Sequence, residues 1–194
     1  MPVVVNGVKQ LQKAMREVEP ELNKQMAKDI KTAMLTVRDT ARGYLPRQNE
    51  VLSGWGKGTA SAETIKFRAF PAYDYSLARS LIKYNAGTNR RNRSGFAAAF
   101  YVANISAPGA IFETAGRKNR RGSSDSKSLN PNAGIQFIES AESISQMKGE
   151  GKQRGRLIYK AWFEKSNKVI PAVVSAINTV ATDFNKKTQL NKAA

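Results

Sequence analysis

Histidine and cysteine are both missing from the 194 residues. Without cysteine there are no disulfides, no thiolate chemistry and few routes to a zinc site. Without histidine the chain lacks the commonest general base and the commonest transition-metal ligand. Acids are scarce as well, with 15 Asp and Glu against 32 Lys and Arg. No apolar run reaches the roughly 18 residues that a membrane span needs, so no span is expected. The stretch Met1–Gly7 has no basic region followed by a long apolar one, and a signal peptide is not expected there. These shortages point away from an enzyme before any motif is read.

Positive charge is what the sequence has in excess, a net +17. Such a field draws anions over a screening length of roughly 8–10 Å. Nucleic acid is the first partner it suggests, and an acidic protein surface the second. The apolar content, 41%, is ordinary for a globular protein, and the length suffices for one substantial core. A single domain spanning residues 1–194 is expected.

Read in order, Asn6-Gly7 can cap a helix. Apolar residues then recur at Leu11, Met15, Val18, Leu22, Met26, Ile30, Ala33, Val37 and Ala41. The steps are three or four, the spacing of one helical face. Pro20 interrupts the series, which predicts helices over about 7–18 and 20–43, or one kinked helix. Gly43 and Pro46 close it. Residues 46–63 read as loop, with Trp55 among glycines as a core anchor or an exposed contact. The stretch Thr64–Phe70 alternates as a short strand would, and Pro71 ends it.

Ser76–Asn85 suits strand or helix by itself. The turn-rich, basic run Ala86–Gly95 and the apolar stretch Phe96–Ile105 behind it favour a strand, and so a hairpin with a long basic tip. Apolar residues on both faces of Phe96–Ile105 predict a strand covered on both sides. It leads into a structural turn, Ala107–Gly116, with Gly109, Phe112, Glu113 and Gly116 as its key residues and Phe112 packed on the core. Glu113 is the only acid between Ala86 and Arg121. It reads as a structural carboxylate that accepts backbone N–H groups or pairs with an arginine.

Arg117–Pro131 is polar and rich in Ser and Gly, and order is not expected there. Asn132–Ser143 predicts a short helix with Phe137, Ala141 and Ile144 on one face. Gln146–Gly155 reads as a link. A last helix is expected from near Arg156, with Pro171 as a kink or a break and a frayed tail over Lys186–Ala194. The architecture is α+β: a long amphipathic N-terminal helix, a small antiparallel sheet with a long hairpin, and a C-terminal helix. Basic loops fall at about 86–95 and 117–131.

No metal constellation or cofactor motif is present, and no cofactor is expected. Glu139 and Glu142 are three apart on a predicted helix, the spacing of a solvated face more often than of a catalytic pair. Gly56-Lys57-Gly58-Thr59 misses the spacing of a phosphate-binding loop. Two basic clusters remain, Arg90, Arg91 and Arg93, then Arg117, Lys118, Arg120 and Arg121, giving a local net of +6 from Ala86 to Arg121. Arginines there can hold phosphates or acidic neighbours. No element shaped for base readout accompanies them, so any DNA contact should be to the backbone.

Three segments, in this order, resemble the head–tail joining or tail-completion family of long-tailed bacteriophages. The first is the long helix ending in Ala41-Arg42-Gly43-Tyr44-Leu45-Pro46, followed by Ser53-Gly54. The second is the strand entering Gly109-Ala110-Ile111-Phe112-Glu113-Thr114-Ala115-Gly116-Arg117-Lys118. The third is Gly155-Arg156-Leu157-Ile158-Tyr159-Lys160-Ala161-Trp162 before the last helix. The resemblance spans most of the chain. It implies a non-enzymatic virion protein of the neck, made in the host cytoplasm. Such proteins form a homo-oligomeric ring, sixfold, between the head connector or stopper and the tail terminator or tail tube. Composition alone suggests the other class, a stand-alone basic nucleic-acid-binding protein.

Overall fold

The computed structural model describes residues 19–51, 71–86, 100–118 and 130–193, together with Lys13, Met15 and Trp55. The expected strand Thr64–Phe70 and the arginines at 90, 91, 93, 120 and 121 lie outside the described residues, as does most of the expected helix over 7–18. The fold is a mixture of helix and sheet, with a long N-terminal helix, a two-stranded antiparallel sheet and a C-terminal helix.

Helix α1 runs Pro20–Gly43. Proline suits its first position, where no helical partner awaits the missing N–H. Helix α2, Tyr75–Ser80, starts at Asp74, whose carboxylate accepts the Leu77 N–H at 3.0 Å. Strand β1, Ile82–Ala86, follows at once. The stretch Ser76–Asn85, read as one strand, is therefore a helical turn and then a strand. A side-chain cap on Asp74 fixes the first half locally.

Strand β2, Phe100–Asn104, pairs with β1. It is not covered on both sides as expected: Tyr101 is exposed and its four companions are only half-buried. A sheet of two strands has too little cover to bury both faces.

Ala107–Thr114, expected to be a turn, is helix α3. Ser106 accepts the Gly109 N–H at 3.1 Å, and Pro108 sits in the first turn. That cap with that proline is a helix-start signal, and it outweighs the turn-like look of Pro-Gly. Helix α4 is Ala133–Ile144, close to the expected span. A 3-10 turn at Gly151–Gln153 and an antiparallel bridge between Lys148 and Gly155 shape the link after it.

Helix α5 runs Ile158–Ala193 without a break at Pro171. A proline ring inside a helix costs about 3 kcal/mol. Burial of Val169, Ala176, Ile177 and Val180 on either side offsets that, while Pro171 faces solvent. The helix also continues through the tail that was expected to fray. No helix among the described residues is long and apolar enough to cross a membrane.

The chain forms two compact units. One comprises Met1–Val37, Tyr84–Tyr101 and Lys165–Ala194, the other Arg38–Lys83 and Val102–Glu164. Helix α1, both strands and α5 each supply a piece to both. In the first unit Met15, Met26 and Ile30 form a core with Ala176, Ile177 and Val180. Each such large side chain contributes about 1.5–3 kcal/mol on burial. In the second unit Trp55 is a core anchor. Its ring lies 5.0 Å from Tyr73 and 4.9 Å from Phe137, and its N–H donates to the Pro71 carbonyl at 3.1 Å.

Candidate functional site: a buried carboxylate–guanidinium hub

The second unit contains the most demanding polar chemistry among the described residues. Helix α3 sets it up. Asn104 accepts both the backbone N–H and the hydroxyl of Ser106, and Ser106 in turn caps the helix. A Cβ at Gly109 would run into both of those side chains, so the cap needs glycine there. At the other end Gly116 takes φ +79, a left-handed turn that favours glycine. Between these fixed ends α3 turns Phe112 and Glu113 inward, to 1% and 5% exposure.

Glu113 reaches the start of α5. Its carboxylate accepts the N–H of Leu157 and, at 3.0 Å, the N–H of Tyr159. These are donors that a helix leaves unpaired in its first turn. Glu113 thus caps α5 from another helix, with its charge at the positive end of the helix dipole. Burial pushes its carboxyl above the usual range. The N–H groups of Tyr159, Leu157 and Ile158 and the charge of Arg117 pull the other way. Gly155 leaves the room the carboxylate occupies, since a Cβ there would collide with it.

Arg156 lies beside this cap and is 0% exposed. One guanidinium nitrogen donates to the carbonyls of Phe112 at 3.1 Å and Ala115 at 2.6 Å, closing the C-terminal end of α3. The other terminal nitrogen is 3.2 Å from Glu142 Oε1 on α4. That is ion-pair range without hydrogen-bond alignment, and the same nitrogen and Nε have no hydrogen-bond partner. Burial lowers the pKa of Arg156, while Glu142 and Glu113 oppose the shift. Guanidinium keeps its proton in proteins, so the hub holds a true cation. Ser145 donates to the Arg156 carbonyl at 3.0 Å and accepts from Lys160 at 3.1 Å.

The same α5 turn meets the end of α1. Lys160 sits 4.3 Å from the centre of the Tyr44 ring, and the Tyr44 hydroxyl donates to Glu164. Burial first, then the Glu164 bond, pushes the Tyr44 hydroxyl up to about 12.

Every acceptor direction of Glu113 that the structure defines goes to backbone N–H. Among the described residues no group of three or more His, Cys, Asp or Glu could hold a metal ion. The arrangement can fix three helices to one another.

The sequence-predicted residues separate clearly. Gly109, Phe112, Glu113 and Gly116 come together in and around the hub. Arg117 is half-buried with its guanidinium 5.1 Å from the Tyr159 ring centre, whereas Lys118 is exposed. Arg90, Arg91, Arg93, Arg120 and Arg121 lie outside the described residues. Sequence reasoning missed Arg156 as a buried cation. Its one signal is position: an arginine between a glycine and the apolar start of a helix, with few acids nearby to hold it at the surface.

No protein-family model, curated protein or solved structure matches the chain.

Proposed function

We propose that this protein is a structural component of a long-tailed phage virion, forming a ring at the neck that joins the head connector to the tail. The observation that carries this reading is where the three family-like segments lie. Ala41–Pro46, Gly109–Lys118 and Gly155–Trp162 are far apart in sequence, yet all fall in the second unit. Glu113 joins the second segment to the third, and Tyr44 with Lys160 joins the first to the third. Short matches of independent origin have no reason to make one hub. Their packing in one unit supports the reading.

The physical chemistry agrees with a structural role. The hub spends its charged groups on helix caps and carbonyls. The strong positive charge suits a protein next to packaged DNA or to acidic neighbours. The partners implied are further copies of itself, the connector or stopper, and the tail terminator or tube.

Sedimentation of the purified chain, alone and with neck components, tests the reading. A ring, or capture into one by a neck partner, is expected. A monomer that ignores every neck component overturns it. The net charge favours one rival, a stand-alone nucleic-acid-binding protein, and that same monomer binding duplex DNA would establish the rival. Replacing Arg90, Arg91 and Arg93 together with Ser separates their roles. Reduced DNA retention assigns them to passing DNA. Unchanged retention with loss from assembled particles assigns them to subunit contacts.

A further inference from the structure

Helix α1 sorts its charges. Met26 and Ile30 on one side are buried in the core of the first unit. Lys24, Lys28 and Lys31 follow one another at steps of four and three, so they share one face, and all three are exposed. Solvated helix faces usually set acids at those steps, because like charges there destabilise the helix. Here the neighbour four along from Lys24 is Lys28, and the neighbour three along from Lys28 is Lys31. Lys24 has Glu21 at 2.6 Å. Asp29 is engaged by Gln25 at 2.9 Å. Lys28 and Lys31 have no ion pair with any described residue. Lys28 and Lys31 therefore repel each other with no acid at helical spacing beside either, and a polyanion laid across them would remove that repulsion.

We infer that the exposed face of α1 bearing Lys24, Lys28 and Lys31 binds the phosphate backbone of nucleic acid. The three residues span about 10 Å at a rise of 1.5 Å each. A DNA strand carries one charge per roughly 3.4 Å of axis, so three ammonium groups on flexible stems match about three phosphates. Lysine offers a point charge and no planar fork, and α1 contains no aromatic residue to stack on bases. The contact is therefore blind to sequence. A protein partner would want an apolar anchor beside the charges. The exposed large apolar side chains among the described residues, Leu77, Tyr101, Ile105 and Phe163, all lie off α1. The packing of Met26 and Ile30 holds the lysine face on a rigid element. This inference stands without the neck reading, since it concerns one helix and its ligand whatever the protein assembles with.

The test is the binding of a labelled duplex of arbitrary sequence to the full chain across a salt series. K28Q/K31Q is compared with K148Q/K152Q, which removes the same charge from exposed positions outside α1. The slope of log K against log salt should flatten by about 0.9 for each phosphate no longer neutralised, close to two in K28Q/K31Q, with little change in K148Q/K152Q. K28R/K31R should bind as the parent does. If K28Q/K31Q melts early, the single variants carry the comparison, each removing about half the effect. Equal losses in the two double variants would mean a general field and overturn the assignment, as would no loss in K28Q/K31Q. Polyglutamate is the second probe. A K28Q/K31Q variant that keeps duplex binding but loses polyglutamate binding would assign the face to acidic proteins instead.

Discussion

Glu113 accepts the N–H of Tyr159 at 3.0 Å across a separation of 46 residues, and by that bond the carboxylate of one helix becomes the cap of another. Most helix caps are local and come from the residue just before the first turn. This one ties the start of α5 to α3, so any loss at Glu113 is felt in both. Replacing Glu113 with Ala leaves the buried N–H of Leu157 and the part-buried N–H of Tyr159 without an acceptor. The expected loss is about 3 kcal/mol, read from urea unfolding at neutral pH. A loss under about 0.5 kcal/mol, the scale of ordinary surface changes, would mean water replaces the carboxylate and the cap is not structural.

The same carboxyl predicts a pH dependence. Burial holds its pKa above the unfolded-state value, so its contribution to stability is full below the unfolded value. That contribution is lost as pH rises through the higher folded value. Subtracting the stability of E113Q, which cannot titrate, isolates the effect. The parent's advantage should grow as pH falls from about 7 towards about 4. A difference that is flat, or that shrinks on acidification, would show that the N–H donors and Arg117 outweigh burial.

Phe112 and Arg156 should both be sensitive, for different reasons. Phe112→Ala empties a site that is 1% exposed, at an expected cost of about 3–5 kcal/mol. Arg156→Met removes donors to two carbonyls and leaves Glu142 without its partner. Glu142 is 33% exposed and can rehydrate, so about 2–4 kcal/mol is expected. E142Q leaves a cation that is 0% exposed with only a neutral partner, so about 1–3 kcal/mol is expected. Thermal melts of the three variants give the order. An E142Q as damaging as R156M would place the energy in the ion pair and not in the carbonyl bonds.

Pro171 offers a gain. It sits on the solvent side of an unbroken helix and cannot donate to the preceding turn. Pro171→Ala should restore that bond and raise stability by about 1–3 kcal/mol. Circular dichroism melts check this. An unchanged or lower midpoint would mean that the bond missing at Pro171 does not limit the stability of the helix.

How much could be read in advance depended on how local each signal was. Steps of three and four marked α1 and α4 well, because a helical face writes its period into adjacent residues. Phe112 and Glu113 stood out by composition, one aromatic and one acid among small residues. The helix α3 was hidden: Pro108-Gly109 looks like a turn unless the Ser106 cap in front of it is given its weight. Whether Pro171 splits a helix is decided by burial of Val169 and Val180 around it, which no local pattern states. Arg156 was the hardest, since its partners are carbonyls of Phe112 and Ala115, and a carbonyl leaves no trace in residue identity.

The capping bond from Glu113 to the start of α5 also sets how freely this chain can change length. It closes a loop whose ends are held by one carboxylate, and the entropy of such closure grows only with the logarithm of the number of residues enclosed. Doubling the chain between them would cost roughly 0.6 kcal/mol, less than the cap itself returns. The entropy of closure therefore sets only a loose limit on how many residues separate Glu113 from the helix it caps.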